Sequence, residues 1–226
     1  MTMPKQDTNP NTNPIPALQA LQDDDPSVRL RAALALGTNP DPRFIDKLIE
    51  RCAIEDEFPV RDTLTWALTR HPASMTLPIL LDEVRSPRAQ ARSQALHTLS
   101  KIGDRRAWPA ITQALLSDAD DEVARSAWRA AVALVPEGEK PELAAALSTQ
   151  LGRGERETQL SLSRALIALG EVISPILHAA QTRADPRVRA HAIATEQLLR
   201  DPETGFEFAI EQAKRVVALG ETERQG

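Results

Sequence analysis

The residues best suited to chemistry in this 226-residue chain recur four positions apart, the spacing that places side chains on one face of a helix. We call this set the basic row, and its members are Asp62, Trp66, Arg70, Ser93, His97, Lys101, Arg125, Arg129 and Arg164. Cations dominate the row, which adds the flat apolar ring of Trp66 and the imidazole of His97. These residue types favour binding of an acidic protein or peptide segment, with arginine and tryptophan as the energetic anchors.

Simpler interpretations of the same residues stay open. Lysine and arginine on an exposed helix face are usually only solvated, and Trp66 could instead pack between adjacent helices. The chain as a whole is acidic, with a net charge of −5 at pH 7, so a cluster of cations on one face stands out from its surroundings. The row is therefore a candidate binding surface, and a solvated helix face is its alternative.

Signatures of catalysis and metal binding are missing from the sequence. It contains no glycine-rich phosphate loop, no nucleophile elbow and no zinc-ligand spacing. The acidic runs 23–25 and 118–122 fall at turns, where Asp commonly caps a helix. Cys52 lies on the apolar stripe of a predicted helix, which favours a buried packing role. We expect no catalytic residue, no metal and no cofactor.

A repeated unit positions the row. Six times, a turn rich in Asp, Pro or Arg precedes the same helical signature, and the intervals of 30 to 34 residues are typical of helical solenoid repeats. The signatures begin at Val28, Val60, Ala91, Ala124, Thr158 and Val188. The fourth can equally be anchored on Val123, and only then do Arg125 and Arg129 both match the spacing of the row.

Each signature follows an earlier apolar segment, so every repeat reads as an antiparallel pair of helices. Alanine and leucine are abundant, aromatic residues make up 3% and tyrosine is absent, a composition that disfavours β-sheet. The sequence thus predicts an all-α fold with one continuous domain over residues 15–219. Residues 206–219 form its capping helix, and residues 1–14 and 220–226 form flexible tails.

The segments DPSVR, ARSQALHTLSKIGD and DPRVR resemble HEAT repeats, specifically the short bacterial kind also found in phycobilisome lyase proteins. The resemblance covers about residues 15–200 and implies a right-handed α-solenoid of about six helix pairs. It also implies that the second helices, and with them the basic row, line a concave groove. Thr158 and Gln159 stand where Val and Arg stand in other repeats, so a ladder of Asp and Arg along the turns is interrupted in the second half.

The resemblance indicates the architecture but no single activity, because this repeat family includes scaffolds, lyases, a hydroxylase and DNA glycosylases. The related hydroxylases bind iron through His-Glu pairs, whereas the four histidines here precede Pro, Thr, Ala and Ala. Only the repeat is shared with the lyases. Asp62 and Trp66 loosely resemble a glycosylase groove, so nucleic-acid or nucleotide binding is the alternative. We expect a non-catalytic scaffold that binds an acidic protein segment.

The remaining expectations concern location and assembly. No apolar run approaches the roughly 20 residues that span a bilayer, and the first residues lack the apolar core of a signal peptide. We therefore expect a cytoplasmic protein with no membrane contact, present as a monomer or weak homodimer.

Overall fold

The computed structural model describes residues 15–225, with side chains for residues 16–220, and this part of the chain contains helices and turns but no strand. The α-helices are α1 Ile15–Ala20, α2 Pro26–Thr38, α3 Ile45–Cys52, α4 Phe58–Thr69, α5 Ala73–Glu83, α6 Ala89–Ile102, α7 Gln113–Leu116, α8 Asp121–Leu134, α9 Lys140–Ser148, α10 Arg156–Ile167, α11 Ser174–Ala180, α12 Pro186–Arg200 and α13 Phe206–Gln225. The predicted all-α repeat of helix pairs is confirmed.

The even-numbered helices α2 to α12 are the second helices of the six pairs, and each begins at a predicted signature. Their N-cap residue lies three positions before the anchor, the first residue of the signature: Asp25 precedes Val28 in this way, and Asp185 precedes Val188. The cap of α8 is Asp120, whose side chain accepts hydrogen bonds from the N–H groups of Glu122 and Val123. The fourth repeat is therefore anchored on Val123.

The first helix of the fourth repeat and the last helix of the chain differ from the expectation. The apolar segment AWPAITQALL, where one first helix is expected, forms a 3-10 turn, Arg105–Ala110, followed by the single turn of α7. Pro109 lacks the N–H that a continuous helix would use, and Thr112 caps a new helix by accepting from the N–H of Leu115. The last helix, α13, continues past its predicted end at Leu219 to Gln225. The predicted tail over residues 1–14 lies outside the described residues.

Packing divides the described residues into two compact units, with the boundary between Thr76 and Leu77. The boundary falls inside α5, next to Pro78, which removes one backbone donor from that helix. The first unit holds the helix pairs α1–α2 and α3–α4. The second holds the pairs from α6 onward and the final helix α13.

One side chain in most repeats ties the second helix to the turn before it. The guanidinium of Arg29, directly after the anchor, donates to the carbonyls of Asp23 and Asp24, both at 2.9 Å. Arg61 and Arg92 do the same five and six residues upstream, and so does Arg189. These bonds satisfy turn carbonyls that the helix ladders leave open.

Acidic residues in the next turn extend two of these ties. Arg29 also donates to the buried carboxylate of Glu55, with Nε 2.7 Å from Oε2, and Arg92 pairs with Asp118 at 3.0 Å. Burial alone would raise the pKa of Glu55, but hydrogen bonds from Arg29, the N–H of Glu57 and Arg51 lower it to about 2. The resulting ladder links successive repeats.

The predicted interruption of the ladder is present in the fourth and fifth repeats. Ala124 occupies the position after the anchor on α8, so α8 itself supplies no arginine to the turn before it. Arg153, from the next turn, replaces it by donating to the carbonyl of Asp118 and pairing with Asp121 at 2.8 Å. In the fifth repeat, the shorter Gln159 reaches only the carbonyl of Gly154.

His191 takes over part of the tie between α10 and α12. Its ring is fully buried, Nδ1 accepts a hydrogen bond from the N–H of Gly152 at 3.0 Å, and Nε2 lies 3.0 Å from the carbonyl oxygen of Gln159. An accepting Nδ1 fixes the neutral tautomer with its proton on Nε2. Burial lowers the pKa of His191 to about 4.

We expect Arg29→Met to lower the free energy of unfolding of the first unit by about 3 to 5 kcal/mol, because it leaves a buried carboxylate short of its main partner. Arg61→Met is the matched control: it removes a similar donation to two carbonyls but leaves Glu55 paired with Arg29 and Arg51. Its cost should be about 1 to 3 kcal/mol. Urea unfolding measures both, and equal losses would contradict a special role for the buried pair.

The low pKa of His191 predicts a pH dependence. The unfolded state binds a proton below a pH of about 6.5 and the folded state only below about 4, so stability falls as pH drops through this window and is fully present above it. The contribution of this one group is at most about 3 kcal/mol. Denaturant midpoints between pH 7 and 4 should fall less steeply in His191→Gln than in the parent, and identical slopes would exclude this role.

Candidate functional site

The members of the basic row in the first unit form a small aromatic and cationic patch. Asp62 and Arg70 are exposed, and Trp66 is 39% exposed. The guanidinium carbon of Arg70 lies 6.0 Å from the centroid of the Trp66 ring, within the range of a cation–π contact. Leu34 holds the matching position on α2 and is 45% exposed. The patch thus offers two apolar side chains beside one cation.

Trp66 is both surface and packing residue, so the two interpretations left open by the sequence each hold in part. Its ring lies against the backbone of α2 at Gly37, where a Cβ atom would come within 2.3 Å of Cζ3 of the indole. Only glycine leaves room for the ring at this position. Gly37 therefore determines how closely the indole approaches α2 and which part of the indole stays exposed.

In the third repeat, one residue of the basic row does not lie on the surface where we expected it. Ser93 is buried: its Oγ lies 2.9 Å from Oγ of Ser126 and donates to the carbonyl of Glu122 at 3.3 Å. A small side chain here lets α6 and α8 pack closely, so the position that we expected on a groove surface is an interhelical contact. His97 is half-buried, and Lys101 is exposed near the end of α6.

The structure brings three row residues together in the second unit. Arg125, Arg129 and Arg164 line one groove of about 360 Å³ between α8 and α10. The anchor at Val123 explains the arrangement, because it puts Arg125 two and Arg129 six positions after the anchor. Arg164 lies six positions after Thr158. The rest of the lining consists of two polar side chains and five apolar ones, namely Glu157, Ser161, Val132, Ala133, Leu160, Ala165 and Ala168.

Charge in this groove is only partly balanced. Arg125 pairs with Glu122 at 2.7 Å and lies 3.7 Å from Glu157, while Arg129 donates to the hydroxyl of Ser126 at 2.8 Å. Removal from water, and then the nearby charge of Arg125, lower the pKa of Arg129. The guanidinium of Arg125 thus stands close enough to Arg129 to disfavour the charge of Arg129. A bound anion would relieve that repulsion.

Sequence reasoning missed the apolar part of both surfaces. Leu34 lies six positions after its anchor, Leu160 lies two positions after its anchor, and Ala133 and Ala168 lie ten positions after theirs. The cations of the basic row occupy these same positions on their own helices. We call these positions, two, six and ten after the anchor, the row face of a second helix. Restricting the search to charged and aromatic residues hid the apolar members, although the spacing alone could have found them.

Two findings on the described residues concern candidate metal ligands and candidate membrane spans. No group of three or more His, Cys, Asp or Glu side chains there could hold a metal ion. In the same residues, no single helix is long and apolar enough to cross a membrane. One pair, Arg156–Ile167 with Glu171–Ala180, meets the length and composition criteria together but is bent by 114°.

Comparison with known proteins agrees with the repeat architecture. The profile of the family described as HEAT repeats matches residues 14–69 and 54–134, which together make up more than half of the chain. No curated protein sequence matches the chain. Among solved structures, Kap121p bound to Pho4p has a TM-score of 0.58 and 19% identity over 79% of this chain and 22% of that one. At this identity, the likeness concerns the fold alone.

Two further solved structures are similar over most of their length, at TM-scores below 0.5. The complex of CpcE and CpcF of phycocyanin lyase from Nostoc has a TM-score of 0.46 and 22% identity, over 88% of this chain and 81% of that one. Human deoxyhypusine hydroxylase has a TM-score of 0.45 and 20% identity, over 91% of this chain and 94% of that one.

The contact between Trp66 and α2 predicts that Gly37→Ala costs less stability once the ring is removed. Gly37→Ala should destabilise the parent by about 1 to 3 kcal/mol, because the new methyl group overlaps the indole and also comes within 2.9 Å of Cα of Ala67. In a Trp66→Ala background, the same substitution should destabilise less, by about 1 kcal/mol or below, because the overlap with the indole is gone and only the close approach to the backbone of Ala67 remains. Thermal and urea unfolding of the four proteins complete the cycle. Equal effects in both backgrounds would show that the ring does not rest on Gly37.

Proposed function

Because this chain belongs to the HEAT-repeat family, we propose that it is a non-catalytic interaction scaffold whose α8–α10 groove binds an acidic segment of a partner protein. The observation that carries the proposal is the meeting of Arg125, Arg129 and Arg164 in one groove. Glu157 is the acid that lines the same groove, so the lining keeps an excess of positive charge. The guanidinium group of an arginine suits carboxylates, because it can donate two parallel hydrogen bonds to one carboxylate.

The floor of the groove supports a protein ligand. Ala133 and Ala168 are exposed, and Leu160 is half-buried, so apolar surface lies directly beside the guanidinium groups. A peptide that carries both carboxylates and apolar side chains satisfies both parts of the lining. On the first unit, Leu34, Trp66 and Arg70 combine the same two chemistries.

Nucleic acid is the second candidate, since the same three arginines could contact phosphates. Two features disfavour it. The chain carries a net charge of −5, and Glu157 stands in the groove, where it would repel a phosphate backbone. The exposed indole of Trp66, which could stack on a base, lies in the first unit.

Charge reversal in the groove tests the proposal. The probe is a fluorescein-labelled synthetic helix-forming peptide of about 16 residues, with an apolar stripe of Leu and Ala and flanking Glu residues. Its matched counterpart carries Gln at every Glu. We expect Arg129→Glu with Arg164→Glu to weaken binding of the acidic peptide by at least about tenfold in fluorescence anisotropy, because two attractive contacts become repulsive.

Arg85→Glu serves as the control for this experiment, since Arg85 is a highly exposed cation of the same unit that does not line the groove. It should bind as the parent does, and circular dichroism and melting should be nearly unchanged in all variants. The Gln peptide should bind poorly to every protein. Unchanged affinity in the double variant would reject the groove. Tight binding of generic single- or double-stranded DNA that falls steeply with salt would favour the second candidate.

A further inference from the structure

One second helix already has its row face covered by another helix. On α12, the three row-face positions are Ala190, Ala194 and Leu198, and they are 3%, 0% and 9% exposed. They form one apolar cluster with α13. The same positions on α8 and α10 hold the arginines and alanines of the groove. The chain itself therefore shows what kind of element lies on a row face.

The covering helix α13 combines an apolar stripe with charged flanks, which carry Glu207, Glu211, Lys214 and Arg215. Its buried residues are Phe206, Ala209, Ile210, Ala213 and Val217, a spacing that forms one helical stripe. Beside the stripe, Glu207 lies 3.1 Å from Arg156 on α10, so a carboxylate on the covering helix meets an arginine of a second helix. Apolar contact and charge pairing thus occur together in this interface.

The groove adjoins this interface on α10. Leu160 and Ile167 of α10 pack against the cluster formed by α12 and α13, and Leu160 also lines the groove with Arg125, Arg129 and Arg164. Covered and open regions therefore meet at one residue of the same helix. On the open side, Ala133 and Ala168 are small exposed side chains, whereas the small side chains of Ala190 and Ala194 are buried under α13.

Backbone hydrogen bonding favours a helical occupant over an extended one. The groove walls are helices whose backbone groups already pair internally, so they offer no ladder to an extended chain. An extended peptide pressed into the groove would leave some of its own N–H and C=O groups without partners, whereas a helix satisfies these groups itself.

Resting on the proposed function above, we propose that the occupant of the α8–α10 groove is an amphipathic α-helix of the partner protein. Its apolar stripe packs on Ala133, Leu160 and Ala168. Its Glu or Asp residues, one turn apart on the flanks, pair with the guanidinium groups of Arg125, Arg129 and Arg164. The bound helix lies on α8 and α10 in the manner in which α13 lies on α12.

Two peptides of nearly equal charge separate this inference from the proposed function. The first is the acidic helical probe described above; in the second, two central alanines on its solvent side are replaced by prolines, which keeps every Glu and Leu but breaks the helix. We expect the intact full-length protein to bind the first peptide at least about tenfold more tightly than the second. Bound-state helicity of the first peptide, followed by NMR of labelled peptide, should rise.

The outcomes are distinct. Equal affinity for both peptides would keep the groove as the binding site of an acidic segment and overturn the helical occupant. Binding of neither peptide would overturn the proposed function and this inference together. As a second measurement, Ala133→Phe, which fills the floor, should weaken the helical peptide about tenfold, while Ala145→Phe on the exposed side of α9 should not. Unchanged binding by Ala133→Phe would exclude packing of an apolar stripe on the floor.

Discussion

The arginine directly after the anchor is the contact on which the rest of the architecture depends. A turn between two helices leaves carbonyl oxygens without partners, and in this chain one guanidinium bonds two of them, five and six residues upstream. The bond fixes the starts of α2, α4, α6 and α12 against the turns that lead into them. Once the start is fixed, the 3.6-residue period determines which side chains reach the row face. Turn chemistry thus decides where positions two, six and ten point.

The candidate site lies where this rule is broken. Ala124 on α8 replaces the arginine, Gln159 shortens its reach on α10, and Arg153 crosses back from the following turn to serve the orphaned carbonyl. Between α6 and α8, where the ladder is intact, small hydroxyl side chains close the space, as the contact of Ser93 with Ser126 shows. Between α8 and α10 the space stays open and three arginines line it. Departures from a repeat rule commonly coincide with functional sites.

The sequence predicted the helix pairs well because caps, turns and periodicity are local properties. It left the fourth repeat ambiguous between Val123 and Ala124, although the Asp120 cap, three residues before Val123, was a readable signal. Ser93 was misplaced for a different reason. Spacing along one helix defines a face, but whether that face meets solvent or a neighbour depends on how closely the next helix packs, which is not a local property. The contact of Trp66 with Gly37, 29 positions apart, was out of reach for the same reason.

The row-face positions are buried under α13 on α12 but open on α8 and α10, and the cost of removing charged groups from water explains the difference. Alanine and leucine on the row face of α12 lose nothing when an apolar helix covers them, so α13 can bury them within the same chain. Arginines at the same positions of α8 and α10 cannot be covered in that way, because burying unpaired guanidinium groups costs more free energy than the apolar contact returns. An element that brings its own carboxylates can pair with them, and this is the requirement that the proposed function places on a partner. The row faces of α8 and α10 therefore differ from that of α12 in the kind of element that can cover them.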